Sequence, residues 1–353
     1  MTIKKGIEMN VGTNSIIIGF TILLFAGLCQ GSFGLGYKNY QPLKWEAFWG
    51  IYSLFCIIVS LGWAWYQVPD FLHYLSSADV KHIVVPVLCG TIWGISAVGF
   101  SKAVTYIGMS LVYGLSMGIS AVIGSLIPLL TMANKPSTIS IVVLGVGMVV
   151  TLAGIAVITK AGIVKTGEQQ TLEKGAAYKD GESDKAKIGL LLAMLSGFGS
   201  GAMNIGFDFA SPIGKAIMQD GFGETGASAV QWLLVLAGGA LAGIIYCIVE
   251  LSKNKTWVSF TYKGSAKRIV ILFLTSIVWF AALASYGIAT LILGNMGAVT
   301  GWILFNALAL IISNLWGIQC GEWKGAKRGK KILLYGNLVL IISWIFIGIS
   351  NAI

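Results

Sequence analysis

The apolar residues of this chain gather into ten long runs, at about 14–35, 46–67, 82–104, 107–130, 138–160, 187–210, 226–250, 268–291, 294–317 and 331–351, divided by short polar stretches. A hydrocarbon core of roughly 30 Å is crossed by about 20 helical residues, so each run can span a bilayer. In most runs the apolar residues go all round the helix, as expected where one side meets lipid and the other a packed bundle. The chain lacks the alternating segments of about 10 residues that a membrane β-barrel would show. The pattern predicts an all-α integral membrane protein with ten transmembrane helices.

The runs echo one another. Trp93, Phe100, Ala103 and Gly108 match Trp279, Tyr286, Ala289 and Gly294 at an offset of 186, within the third and eighth runs and their ends. In both places the next run begins at a Gly after a very tight turn. Gly27 and Gly31 match Gly197 and Gly201 at an offset of 170. Residues 1–160 and 187–353 then form two five-helix units, joined by a solvated linker over 161–186 that mixes Gly, Gln, Lys, Glu and Asp. A unit with an odd number of crossings inserts its two copies upside down. Two inverted repeats are therefore expected, with a substrate site between them, as in secondary transporters.

Composition narrows the class. The chain is 56% hydrophobic and 11% charged, whereas soluble domains carry about 25% charged residues. The formal net charge of +10 does not point to nucleic acid, because Lys and Arg are sorted by loop. Nineteen lie after odd-numbered runs and five on the opposite side. Positive charge marks the cytoplasm, so both termini are expected outside. Lys4 and Lys5 precede an apolar run, but no small-x-small cleavage site follows before Gln30, so a cleaved leader is not expected. The five Cys contain no CxxC pair and read as reduced, buried thiols.

Polar residues at membrane depth are costly, so the faces they share point to a cavity. The sixth run carries Ser200, Asn204, Asp208 and Ser211 on one helical face, and the ninth carries Asn295, Trp302, Asn306 and Ser313. Trp93, Ser96 and Phe100 align on the third run, and Trp279 and Tyr286 on the eighth. The fourth offers Tyr113, Ser116 and Ser120, and the first offers Gln30 with Phe33 and Tyr37. Aromatics interleaved with amides and hydroxyls suit a neutral, polyhydroxylated ligand, whose C–H faces stack on rings. Gln30, Trp93, Phe100, Ser116, Asn204, Tyr286, Trp302 and Asn306 are the candidate substrate contacts. The alternative stays open that the hydroxyls bond their own helix carbonyls and the amides join helices.

Asp208 is the one carboxylate expected at membrane depth, and is the candidate proton carrier or else a hydrated residue at the outer edge. Glu46 and Glu322 fall at cytoplasmic helix ends, where they are candidate gate residues pairing with Lys44 or Lys324. His82 opens the third run on the outer side. The chain has no HExxH, no GxSxG with acid and base partners, no Walker loop and no Cys/His metal cluster. No enzyme activity, metal or cofactor is expected, and the proton is the coupling ion. A sensor would usually carry a soluble output domain, and none is visible in these loops.

At this point the residues resemble a known family. Trp45-Glu46-x-x-Trp49, Trp93-Gly94-Ile95, Tyr106-Ile107-Gly108-Met109-Ser110, Thr159-Lys160-Ala161-Gly162 and Gly321-Glu322-Trp323 occur in the order seen in the L-rhamnose–proton symporter family of the drug/metabolite transporter superfamily. The resemblance runs over nearly the whole chain and departs from the family pattern at Lys102, Thr105 and Asp208. It implies ten helices in two inverted repeats and proton-coupled uptake of L-rhamnose or a related 6-deoxyhexose across a bacterial inner membrane. The protein is expected to work in the lipid bilayer as a monomer or weak dimer. Since the superfamily fold serves both directions, export of another small metabolite is the alternative.

Overall fold

The computed structural model describes residues 13–36, 40–107, 109–132, 134–172 and 182–353. Lys4, Lys5, Tyr37, Lys38, Gly108 and residues 173–181 of the connecting segment lie outside them. The first half comprises α1 (Thr13–Ser32), α2 (Trp45–Gln67), α3 (Phe71–Ser77), α4 (Lys81–Ile107), α5 (Met109–Thr131) and α6 (Thr138–Leu172). The second comprises α7 (Glu182–Phe209), α8 (Ser211–Gln219), α9 (Gly223–Asn254), α10 (Ser265–Ile292), α11 (Gly297–Gln319) and α12 (Lys327–Ala352). All of these elements are helical, which lets each satisfy its own backbone hydrogen bonds in hydrocarbon. Ten are long and apolar enough to cross a membrane; α3 and α8 are the short exceptions. Residues 161–172, expected in the solvated linker, instead extend α6.

The two halves interlock. α4 and α5 both pack on α7, α1 packs on α10 and α11, α2 lies against α9, and α6 pairs with α12 along its length. Small residues set these distances, as is usual where lipid gives helices no hydrophobic reason to associate. On the α6–α12 seam, Gly154 lies against Leu340 and Gly336 against Ile158. Val142 and Val149 on α6 and Ile341 and Ile345 on α12 stay exposed, forming part of an apolar belt suited to lipid.

The extension of α6 has a specific cause. Its Glu168 carboxylate accepts hydrogen bonds from the backbone N–H groups of Arg328 (3.1 Å) and Gly329 (2.8 Å), donors in the first turn of α12. Gln169 Nε2 donates to the carbonyls of Glu322 (3.0 Å) and Lys324 (3.1 Å), and Lys165 Nζ sits 4.9 Å from the centre of the Trp323 ring. At the other end of the seam, Ser140 donates to the Ser350 carbonyl. The tight turn expected before the ninth run is present: Gly294 has φ of 71°, a conformation that favours glycine.

Candidate functional site

Four helices meet at their midpoints. Trp93 of α4 and Trp279 of α10, the pair matched at an offset of 186, stack face to face with centroids 5.5 Å apart and planes 14° from parallel. Tyr52 of α2 packs on Trp279 at 5.9 Å, and Trp49 on Tyr52 at 5.8 Å. Beside the stacked pair runs a crevice lined by Trp49, Tyr52, Ser53 and Cys56 of α2, by Trp93, Gly94 and Ala97 of α4, and by Leu236, Gly239 and Ala240 of α9. It is a slit in this conformation, with room for about one water molecule.

Glycine places α4 against α9. A Cβ at Gly90 would overlap the Val235 carbonyl oxygen, one at Gly94 the Gly239 oxygen, and one at Gly238 the Val87 oxygen. A Cβ at Gly239 would strike the Trp93 ring, so this glycine lets the indole lie on the α9 backbone. The crevice wall is therefore set by backbone contact.

A second polar group lies towards the ends of α7 and α10. Asn204 is fully buried; its Nδ2 donates to the carbonyls of Gly124 (2.7 Å) and Ala298 (2.8 Å). Its Oδ1 accepts from the Tyr286 hydroxyl. Trp302 stands edge-on to Tyr286 at 5.2 Å and donates from Nε1 to the Ser120 carbonyl at 3.0 Å. Asn306 Nδ2 donates to the Trp302 carbonyl at 2.8 Å, one turn back on its own helix. This network joins α5, α7, α10 and α11 and is packed solid.

The other candidates lie apart. Phe100 meets the edge of Tyr113 at 4.9 Å, towards the opposite end, and Ser116 Oγ reaches Ser196 Oγ at 3.2 Å. Gln30, on α1, keeps a buried Oε1 without a hydrogen-bond partner among the described residues. Asp208 is half-buried one turn past Asn204, within electrostatic reach of Lys215 on α8. His82 Nδ1 lies 2.8 Å from the Phe209 carbonyl. Glu46 is buried and accepts from Thr256 Oγ1 and from Asn254 Nδ2 (3.3 Å), linking the start of α2 to the end of α9. The Glu322 carbonyl accepts from Gln169.

The structure thus brings four of the sequence candidates, Asn204, Tyr286, Trp302 and Asn306, together as neighbours. Sequence reasoning left out the α2 wall. Trp49, Tyr52, Ser53 and Cys56 follow the spacing i, i+3, i+4, i+7 that puts residues on one helical face, so the same rule applied to the second run would have found them.

The chain has counterparts in sequence along nearly its whole length. Residues 12–353 match the family model described as L-rhamnose-proton symport protein. The chain is 25% identical over 355 residues to the L-rhamnose-proton symporter of Yersinia pestis (strain Pestoides F), across 96% of this chain and 99% of that one. The L-rhamnose-proton symporter of Yersinia pseudotuberculosis serotype O:1b (strain IP 31758) is similar to the same extent.

Proposed function

The chain belongs to the L-rhamnose-proton symport family, and from that premise we propose that it takes up L-rhamnose or a related 6-deoxyhexose together with a proton, by alternating access across a bacterial inner membrane. The observation that carries this reading is the Trp93–Trp279 stack beside the crevice. Sugar C–H faces gain from aromatic surfaces, and the midpoints of four spanning helices correspond to mid-membrane, where transporters hold substrate. Residues of matched sequence that meet at the centre are also what a two-fold axis relating two inverted halves would produce.

With both termini outside, the Asn204–Tyr286–Trp302 network belongs to the outer side and keeps that entrance closed in this conformation. Asp208 then stands at the outer edge of the network as the proton carrier. Protonation and sugar binding from outside shift the population towards release inside, as differential affinity for two states requires. Glu46 and Glu322 lie on the cytoplasmic side as gate residues, Glu46 acting through Thr256 and Asn254 with Lys44 within electrostatic reach.

Proteoliposomes under an imposed pH gradient test the reading. Labelled L-rhamnose is expected to accumulate against its own gradient, with acid outside. Equilibration that ignores the pH gradient would sink proton symport, and accumulation of no 6-deoxy sugar would sink the substrate. Asp208→Asn is expected to abolish gradient-driven accumulation while sparing exchange; unchanged accumulation would dismiss Asp208.

A further inference from the structure

Hydroxyl side chains on helices usually return a hydrogen bond to a carbonyl one turn back, and this protein follows the habit. Ser60 donates to Ile57, Thr91 to Val87, Ser96 to Trp93, Ser276 to Phe273 and Ser343 to Leu340. Ser53 does not. It sits mid-helix on α2, only 7% exposed, on the wall of the central crevice, and makes no hydrogen bond among the described residues. A buried hydroxyl left unpaired is costly, so an unpaired one facing a cavity is an offer to a ligand.

Trp49 and Tyr52 of α2 also line the crevice, packed ring to ring at 5.8 Å, and the Cys56 thiol lies one turn beyond. The α4 and α9 walls present the Trp93 ring, glycine, alanine and leucine. Opposite stands Gly243 of α9, where a Cβ would come within 2.8 Å of Ser53 Oγ; the missing side chain leaves the hydroxyl its room.

We propose that Ser53 is a specificity-determining residue, whose Oγ hydrogen-bonds one ring hydroxyl of the sugar while the Trp93 and Trp49 rings cover its C–H face. The proposal rests on the sugar-uptake reading above. The apolar walls of the crevice suit the methyl group of such a sugar. A 6-deoxyhexose carries a methyl group where other hexoses carry a hydroxyl, so part of its rim needs no polar partner.

The test is a double-mutant cycle in proteoliposomes, crossing Ser53→Ala with L-rhamnose and its monodeoxy analogues at C2, C3 and C4. Ser53→Ala is expected to raise the KM for L-rhamnose about tenfold, the size of one neutral hydrogen bond, with the maximal rate retained. One analogue, handled about tenfold worse than L-rhamnose by the unmodified protein, should lose that handicap in the variant. The melting temperature in detergent should not move, because Ser53 makes no hydrogen bond among the described residues. An unchanged KM, or analogue penalties equal in both proteins, would overturn the assignment. So would a lowered melting temperature with uniform loss of rate, which is the mark of a structural role. Absence of uptake by the unmodified protein overturns the functional reading itself, and Ser53 with it.

Discussion

The two tryptophans stacked at the centre belong to stretches of matched sequence, yet the helices that carry them meet their neighbours differently. α4 lies on α9 through Gly90 and Gly94, backbone against backbone. Adding 186 to those numbers gives Ser276 and Phe280 on α10, and α10 meets α2 through rings instead: Tyr52 on Trp279, and Phe55 on Phe273 at 5.3 Å. The same offset takes Phe100 and Ser116 to Tyr286 and Trp302. One end of the bundle holds an edge-on aromatic pair and a 3.2 Å hydroxyl contact. The other holds a network on Asn204 with each amide atom bonded. Stretches matched in sequence thus carry unequal fillings, and a shared offset along the chain does not dictate equal strength at the two ends of the bundle.

The largest effect that bears on this contrast is expected at Gly90. Gly90→Ala forces α4 off the Val235 carbonyl and should cost about 3 kcal/mol, read as a fall in melting temperature in detergent. Ser276→Ala, at the matching place on α10, loses only a back-bond within its own helix and should cost about 0.5 kcal/mol. Equal costs would break the comparison. Next comes Asn204→Ala, which strands the carbonyls of Gly124 and Ala298 and the Tyr286 hydroxyl and should cost about 2 kcal/mol. Ser116→Ala should cost no more than about 0.5 kcal/mol at the loose end. If Ser116 proves the costlier, the assignment of tight and loose ends is reversed.

Tyr286→Phe should fall between these, near 1 kcal/mol, because it removes one donor and keeps the ring contacts with Trp302 and Phe305. The smallest effect is expected at Asp79, just before α4. Hydrogen bonds from the Lys81 ammonium and backbone N–H hold its carboxyl below the ordinary range. Its contribution is therefore present at neutral pH and lost only as the pH falls through that lowered value. The group is exposed and screened, so Asp79→Asn should leave the melting temperature at pH 7 unmoved, a baseline for the other five variants.

Much of this fold was legible in the chain because apolar length alone marks a spanning helix. The ten runs lie within a few residues of ten helices, apart from the α6 extension. What escaped was set by contact. Residues 161–172 have the composition of a linker, and they stay helical where Glu168 and Gln169 bind the start of α12 and the turn before it. α3 and α8, of 7 and 9 residues, are too short for a criterion of membrane thickness. Among the candidate site residues, periodicity assigned the shared face of Asn204 and Asp208 but not the solid packing in front of Asn204. Whether a polar face borders a slit or a sealed network depends on glycines in other helices, such as Gly239 under Trp93 and Gly124 beside Trp302. No spacing within one helix reports that.

The pinning of α6 to α12 has a mechanical consequence. Both ends of that seam are hydrogen-bonded, its middle is meshed through Gly154 and Gly336, and neither helix lines the crevice. The pair is a braced strut: clamped at both ends and meshed between, the two helices hold one spacing and bear load as a single member.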